Sequence, residues 1–399
     1  MKKIYLDYAA TTPMDKEVLE EMMPYFSEKF GNPSSIHQFG QEALEAVDRS
    51  RQQVADFLHC SPREIIFTSG ATESNNMVIK GIIKEAQSSK LKAQSFVPHI
   101  IISSVEHHCV LNTSKVAQKE GMDVTFLKVD KDGLVNPENV RKAIKENTIL
   151  ISIMSANNEV GTIEPIAEIG KVIREVNIER EKNKLPKIYF HTDAVQAANY
   201  CDCDVNKLAV DLLSLSGHKI YGPKGIGILY IRRGTKIKSI QHGGEQEYNL
   251  RAGTHNVPGI VGIGKAVSLI SAHRKKMEEI KKLRDYLVDE VLKNIPNTKL
   301  NGSREFRLPH NANFSFNGVE GESLLMMLDQ EGIAVSTGSA CSSSSLEPSH
   351  VLMAMGISPE IAHASIRFTL GKDTTKNEID YVLKVLIEKI KRLREISGR

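Results

Sequence analysis

Short runs of consecutive apolar residues alternate with longer amphipathic stretches through the first 260 residues of the chain. Such apolar runs are typical of strands buried on both faces, and they predict strands over residues 64–68, 99–103, 149–154, 188–191, 211–216 and 227–231. The stretches between them predict helices, among them residues 42–58 and 164–176. Strands that alternate with helices in this way predict an α/β fold, with a mostly parallel sheet and helices on both of its faces.

The pattern changes after about residue 260. A long charged helix is predicted over residues 261–294, followed by short strands at 313–316 and 334–336. A last helix is predicted over residues 376–396, because its apolar positions recur at helical spacing, at Ile379, Leu383, Leu386, Ile390 and Leu393. We therefore expect a large domain of residues 15–260 and a smaller α+β domain made of residues 1–14 and 261–399.

Composition excludes several classes of protein. The chain has 399 residues, 41% hydrophobic and 25% charged, which is typical of a globular protein and not of a disordered or collagen-like one. The net charge of +3 is close to neutral and argues against a protein that binds nucleic acid through an extended basic face. The sequence lacks an apolar run of the roughly 18 residues that span a bilayer, and an acid at Asp7 interrupts any secretory signal. The chain has five cysteines, too few for a disulfide scaffold, and their odd number leaves at least one thiol unpaired within the chain. This use of cysteine fits a reducing compartment, so the chain is predicted to be cytoplasmic.

Two turns at strand ends carry residues that could face a ligand. Ser69, Gly70, Ala71 and Thr72 follow the predicted strand 64–68 and open a helix, where backbone N–H groups and a hydroxyl favour an anion. A plain helix cap explains the same residues. Asp193 follows the strand 188–191, so its carboxylate either faces a ligand above the sheet or lies in a solvated loop.

A lysine and a cysteine are candidate nucleophiles. Lys219 follows His218 at the end of the strand 211–216, where it could form an imine with an aldehyde cofactor; Lys224 lies in a Gly-Pro turn, for which a structural role is favoured. A free lysine is neutral in roughly one molecule in 2,500 at pH 7, so either candidate needs a lowered pKa. Cys341 lies in a Gly/Ser-rich loop, an unusual setting for a cysteine that serves only in packing, and reactive and inert roles are both open.

Two further clusters resemble metal ligands but do not predict a metal. Cys201 and Cys203 form half of a zinc site at most, since about four ligands are needed and no second pair has suitable spacing. The segment Glu106-His107-His108-Cys109 follows a strand of the predicted sheet, where a histidine is better placed to contact an aromatic ligand. We therefore expect no bound metal.

Taken together, these residues resemble the NifS/IscS-type cysteine desulfurases, which are class-V aminotransferase-like, fold-type I enzymes that use pyridoxal 5'-phosphate. The resemblance runs from residues 5–13 to residues 365–371, nearly the whole chain. Seven motifs occur in the family's order, which makes the resemblance specific: FGNPSS, FTSGATESNN, NNEVGT, HTDAVQ, SGHKIYGPKGIG, RAGTHNVPGIVG and STGSAC. It implies a mostly parallel sheet of the seven-stranded type, with a smaller domain that carries the Cys341 loop.

The resemblance also implies how the cofactor is held. Lys219 would be its Schiff-base lysine, Asp193 would pair with the pyridinium nitrogen, and Gln196 would bond the ring hydroxyl. His107 would lie over the ring face, and Asn158 would reach both the ring and the substrate. The phosphate would be held by five residues, of which the last comes from the other subunit of a homodimer: Ala71, Thr72, Ser216, His218 and Thr254.

The activity implied is removal of sulfur from L-cysteine to give L-alanine. Arg367 would bind the substrate carboxylate, and Lys219, His107 and Cys341 would be the catalytic residues, with Cys341 taking the sulfur as a persulfide. A selenocysteine lyase, or another β-lyase or aminotransferase on the same fold, is the alternative.

The sulfur acceptor is left open by the resemblance. The chain ends soon after the final helix, at Arg399, whereas housekeeping members of the family have a longer tail that contacts an iron–sulfur scaffold. An iron–sulfur scaffold and a tRNA-thiolating enzyme are therefore equally open as the acceptor protein.

Overall fold

The computed structural model describes residues 3–88, 97–337, 347–396 and 398. Its strands, in chain order, are β1 (Ile4–Tyr5), β2 (Ile65–Thr68), β3 (His99–Ser103), β4 (Asp123–Leu127), β5 (Thr148–Ser152), β6 (Tyr189–Asp193), β7 (Leu212–Ser216), β8 (Gly227–Ile231), β9 (Thr298–Leu300), β10 (Asn311–Phe316), β11 (Ile333–Ala334) and β12 (Ser365–Thr369).

Its longer helices are α1 (Lys16–Met22), α3 (Gln38–Leu58), α4 (Ala71–Ser88), α5 (His108–Lys119), α6 (Pro137–Ala143), α7 (Ile166–Lys182), α8 (Val257–Arg274), α9 (Met277–Asn294), α10 (Gly321–Gln330) and α13 (Lys376–Ile396). The short helices are α2 (Pro24–Ser27), α11 (His350–Ala354) and α12 (Pro359–His363). Among the described residues, no helix combines the length and the apolar character that crossing a membrane requires.

The main sheet has seven strands in the order β2-β8-β7-β6-β5-β3-β4. Strands β7, β6, β5, β3 and β4 are parallel, and β8 runs antiparallel to both of its neighbours. Most of these strands are buried along their whole length, as their continuous apolar runs predict. The α/β prediction is confirmed, although the edge strand β4 lacks such a run and was not predicted, because it is only half-buried.

The long helix predicted over residues 261–294 is wrong: the chain forms α8 and α9 instead, with a break at Lys275 and Lys276. Helix α8 is buried on most of its surface and packs into the core around the main sheet. Helix α9 buries only one face, with Leu287 and Val291, in a separate core. Because the two segments pack on different cores, one straight helix cannot serve both.

A smaller body contains the antiparallel sheet β12-β10-β9 and the parallel pair β1-β11. Its core combines these strands with α9, α10 and α13, and Ile4 and Leu6 from the start of the chain belong to it. The proposed division into residues 15–260 and 261–399 stays a prediction. The packing of α8 on the main sheet favours a boundary after that helix, near Lys275.

Candidate active site

A cavity of about 590 Å³ lies where strands of the main sheet end. Parallel strands bring their carboxyl ends to one edge, so loops that are distant in sequence meet there. Ten of the residues that the sequence predicts for the site line this cavity: Ala71, Thr72, His107, Asn158, Asp193, Gln196, Ser216, His218, Lys219 and Arg367. Their individual roles stay predictions.

The end of β2 and the start of α4 form a cradle suited to an anion. Helix α4 begins at Ala71, directly after Gly70, so its first N–H groups face the cavity wall that Ser216 completes. Strand β8 passes so close that a Cβ on Gly227 would lie 2.5 Å from the Gly70 Cα. Glycine at position 227 is therefore required for the backbones to approach at this point.

His218 borders the same cradle. Its Nδ1 lies 3.1 Å from the Thr11 hydroxyl, which belongs to the segment before α1. Burial, with a smaller contribution from the charges of Lys219 and Lys224, lowers the pKa of His218 to about 4. His218 is therefore neutral at pH 7 and meets an anion as a hydrogen-bonding group and not as a cation.

Asp193 ends β6 as a buried carboxylate. Its Oδ2 accepts a 2.7 Å hydrogen bond from Asn75 Nδ2, and its Oδ1 accepts one of 3.0 Å from the Val195 N–H. Only 4% of Asp193 is exposed, so the solvated-loop alternative is wrong. Nearby, Gln196 donates to the Ala9 carbonyl at 2.9 Å. A fixed, desolvated carboxylate suits a cationic partner such as a protonated ring nitrogen.

Lys219 reaches the cavity from the turn that follows β7. Its Nζ donates to the carbonyls of Ala9 and Ala10, at 2.6 Å each. Lys224 also borders the cavity, but it is exposed in its Gly-Pro turn. Lys219 is therefore the lysine that the structure anchors in this cavity.

Arg367 is buried in the middle of β12, with 2% of its surface exposed, so it is not a surface arginine. Its Nη1 donates to the Asn158 carbonyl at 2.8 Å and its Nη2 to Asp7 Oδ1 at 2.7 Å. Its Nε is buried without a hydrogen-bond partner. A carboxylate ligand would satisfy this donor, since a guanidinium binds carboxylates through two parallel N–H groups.

Buried carboxylic acids lie behind the site. Burial raises the pKa of Glu159 to about 7, a shift that its hydrogen bond from Ser349 and the charge of Arg367 oppose. Burial also raises the pKa of Glu106 well above its ordinary value; its Oε1 accepts from the Met154 N–H at 2.7 Å. His350 Nε2 lies 2.9 Å from the Glu106 carbonyl, so α11 is attached to the cavity wall.

Two predicted site residues are not part of this cavity as described. Thr254 is exposed and does not line it, which leaves its proposed action on another subunit a prediction. Cys341 lies outside the described residues. Sequence reasoning missed Asn75, Cys109 and Asp7, because each becomes significant only through a contact with a residue far away in the chain.

The metal-like clusters are packed as ordinary side chains. Among the described residues, no group of three His, Cys, Asp or Glu side chains could hold a metal ion. Cys203 is buried with its Sγ 3.7 Å from the Cys201 carbonyl, and burial raises the pKa of its thiol to about 12. Such a thiol keeps its proton at neutral pH and is therefore a poor nucleophile there.

The chain is similar to known proteins over nearly its whole length. The model of the aminotransferase class-V family matches residues 4–382. The cysteine desulfurase IscS of Dictyoglomus turgidum is 55% identical, over 99% of this chain and 96% of its own length. That of Methanosarcina thermophila is 51% identical, over 99% and 94%.

Solved structures agree with these relatives. A NifS-like protein superposes with a TM-score of 0.88 at 38% identity, covering 98% of this chain and all of the other. A structure described as SspA in complex with cysteine has a TM-score of 0.79 at 39% identity, with 94% of this chain and all of the other covered. The chain therefore belongs to the class-V aminotransferase family, and within it to the NifS/IscS-type cysteine desulfurases.

Proposed function

We propose that the protein is a cysteine desulfurase that uses pyridoxal 5'-phosphate to convert L-cysteine to L-alanine and leaves the sulfur as a persulfide on Cys341. The observation that carries this proposal is one cavity in which an anchored lysine, a buried carboxylate and a buried arginine lie beside an anion cradle. The family match and the relatives named as cysteine desulfurases also support the proposal.

The residues fit the cofactor. The cradle at Gly70 and Ala71 suits its phosphate, with Thr72, Ser216 and His218 beside it. Asp193 would face the ring nitrogen, and Gln196 and His107 would contact the ring. When bound, the cofactor supplies an aldehyde that links to amines and a protonated ring that withdraws electrons from the substrate Cα.

Lys219 and Arg367 act on the substrate. Arg367 holds the carboxylate of L-cysteine, with its otherwise unpartnered Nε as one donor, and so orients the Cα–H bond. The Lys219 amine, once released from the cofactor, takes the Cα proton at Nζ. The carbonyls of Ala9 and Ala10 lie 2.6 Å from Nζ and position the amine.

Cys341 performs the sulfur step. Its thiolate attacks the substrate sulfur, so that an S–S bond forms as the substrate C–S bond breaks and the electron pair passes to the carbon skeleton. Protonation of that carbon skeleton completes L-alanine. The overall change, L-cysteine plus a thiol to L-alanine plus a persulfide, balances without any external oxidant.

The proposal extends to partners and location. A homodimer would bring Thr254 of one subunit to the phosphate of the other, and the exposed apolar side chains of Met23, Phe26, Phe30, Ile36 and Phe39 offer surface for it. A second protein, an iron–sulfur scaffold or a tRNA-thiolating enzyme, would take the sulfur. The free thiols among the described cysteines fit a cytoplasmic location.

Mass spectrometry and alanine assays test the proposal together. Purified protein treated with L-cysteine without reductant should release alanine and gain about 32 Da, one sulfur atom, on the peptide that contains Cys341. Cys341→Ala should lose alanine formation, while Cys60→Ala, which removes another thiol, should keep it. Persistent turnover in Cys341→Ala, a persulfide on another cysteine, or alanine formation that requires a keto acid would contradict the proposal.

Lys219 has its own test. Borohydride reduction should attach the cofactor covalently to the wild type and not to Lys219→Ala. Attachment at Lys224 in the variant would show that the reacting lysine is wrongly assigned.

A further inference from the structure

His107 begins helix α5 as its N-cap residue, and its ring accepts hydrogen bonds from the helix. The backbone N–H of Cys109 donates to His107 Nδ1 at 3.2 Å. A backbone N–H can only donate, so Nδ1 carries no proton in this arrangement. A neutral imidazole has one N–H, and its proton therefore lies on Nε2.

The Cys109 side chain adds a second constraint on the same nitrogen. Its Sγ lies 2.9 Å from His107 Nδ1 and 3.0 Å from Asn75 Nδ2. The amide of Asn75 donates to the sulfur, and the thiol proton is thus directed to Nδ1. Burial raises the pKa of the Cys109 thiol to about 12, so that proton is present at neutral pH.

Asn75 connects this pair to the carboxylate of the site. Its Nδ2 also donates to Asp193 Oδ2, at 2.7 Å, and so a chain of donors runs from Asp193 through Asn75 and Cys109 to His107. The Asn75 amide donates one N–H to Asp193 and the other to the Cys109 sulfur, and the Cys109 thiol donates to Nδ1. Protonation of Nδ1 would place its new N–H against the Cys109 N–H and would force the thiol proton away from this nitrogen.

We propose that Cys109, held by Asn75, is a positioning residue that keeps His107 neutral with its proton on Nε2, so that His107 serves the reaction as a hydrogen-bond donor and not as a proton carrier. Its only basic nitrogen, Nδ1, is occupied by the two Cys109 donors. Its Nε2–H is too weak an acid to be transferred from a neutral ring. The proton is then carried by Lys219, and this assignment rests on the proposed function.

The charges around His107 agree with a neutral ring. Burial lowers its pKa, Asp193 opposes this shift, and Lys219 and His108 lower the pKa further. His350, on the neighbouring helix α11, packs against His108 with the ring centres 4.7 Å apart and is itself neutral, because burial lowers its pKa to about 4. Two carboxyl groups lie near His107 and Cys109: Asp193, whose Oδ2 is already bonded to Asn75, and Glu106, whose Oε1 accepts from the Met154 N–H and whose pKa burial raises well above its ordinary value.

Nitrogen-15 NMR of the purified protein labelled at histidine tests this inference, with His107→Gln used to assign the His107 signals. We expect an unprotonated Nδ1 and a protonated Nε2 across neutral pH. Cys109→Ala removes one of the two donors and should raise the pKa of His107 by up to about one unit, the equivalent of one hydrogen bond. Cys109→Ser keeps a donor and should retain the wild-type value.

Cys203→Ala is the matched control, since it also removes a buried thiol but lies away from the cavity; it should leave the His107 signals unchanged. A proton on Nδ1 in the wild type, or an unchanged His107 pKa in Cys109→Ala, would overturn the inference. The readout does not depend on turnover: a protein without desulfurase activity would refute the proposed function and leave the tautomer result standing.

Discussion

Glu247 is the buried anion on which the turn before Thr254 depends. Its Oε1 accepts from Arg51 Nη2 at 2.6 Å and from His255 Nε2 at 2.9 Å. Its Oε2 accepts from Arg51 Nη1 at 2.9 Å and from the Phe67 N–H, in β2, at 2.8 Å. The turn itself is strained, because Glu247 and the next two residues all have positive φ.

Glu247→Gln changes one oxygen to an NH₂ group and removes the charge, with almost no change in volume. The amide nitrogen then faces donors, and the Arg51 guanidinium stays buried without its counter-charge. Burial would raise the pKa of Glu247, but the bonds from Arg51 and His255 outweigh it and lower the pKa from 4.5 to about 2. This difference corresponds to about 3 kcal/mol, at 1.36 kcal/mol per pH unit, close to the roughly 3–5 kcal/mol for breaking a buried pair.

Urea denaturation at pH 7 and pH 3 measures this effect as the difference in unfolding free energy between wild type and variant. Because the folded-state pKa is the lower one, the stabilisation is complete above pH 4.5 and is lost as the pH falls toward 2. The difference should thus be about 3 kcal/mol at pH 7 and smaller at pH 3. Asp380→Asn, in the exposed pair with Lys376, is the control and should show no resolvable loss.

The reasoning would be refuted by a Glu247→Gln loss below about 1 kcal/mol at pH 7, which is the size of one ordinary hydrogen bond. A difference of equal size at both pH values would also refute it, because the charge of Glu247 would then not be the cause.

Three further changes test the site. Asp193→Ala should keep the cofactor's absorbance, because the phosphate contacts remain, but lower the rate of alanine formation by about two to three orders of magnitude, and an unchanged rate would contradict its role. Thr254→Ala should speed cofactor loss in dialysis, and a fully active monomer in sedimentation would refute action across subunits. Gly227→Ala should lower thermal stability by about 1–3 kcal/mol, because its Cβ would collide with the Gly70 backbone; an unchanged melting temperature would contradict this.

The sequence by itself determined the class of fold and named ten candidate residues that line one cavity. Continuous apolar runs identify buried strands because a strand covered on both faces has no polar side, and β3 and β8 have the predicted bounds. Helix α13 also has its predicted bounds, since one apolar face recurs at helical spacing. Lys219 and Asp193 were found because residues at the ends of parallel strands converge on one edge.

The tertiary structure decided what depends on contacts between distant segments. The break between α8 and α9 arises because each helix packs on a different core, which the local pattern does not record. Asn75 meets Asp193 across 118 residues of sequence, and Arg367 meets Asp7 across 360. Local patterns register which face of an element is buried, whereas the partner of a buried polar group is set by where the fold places the other segment.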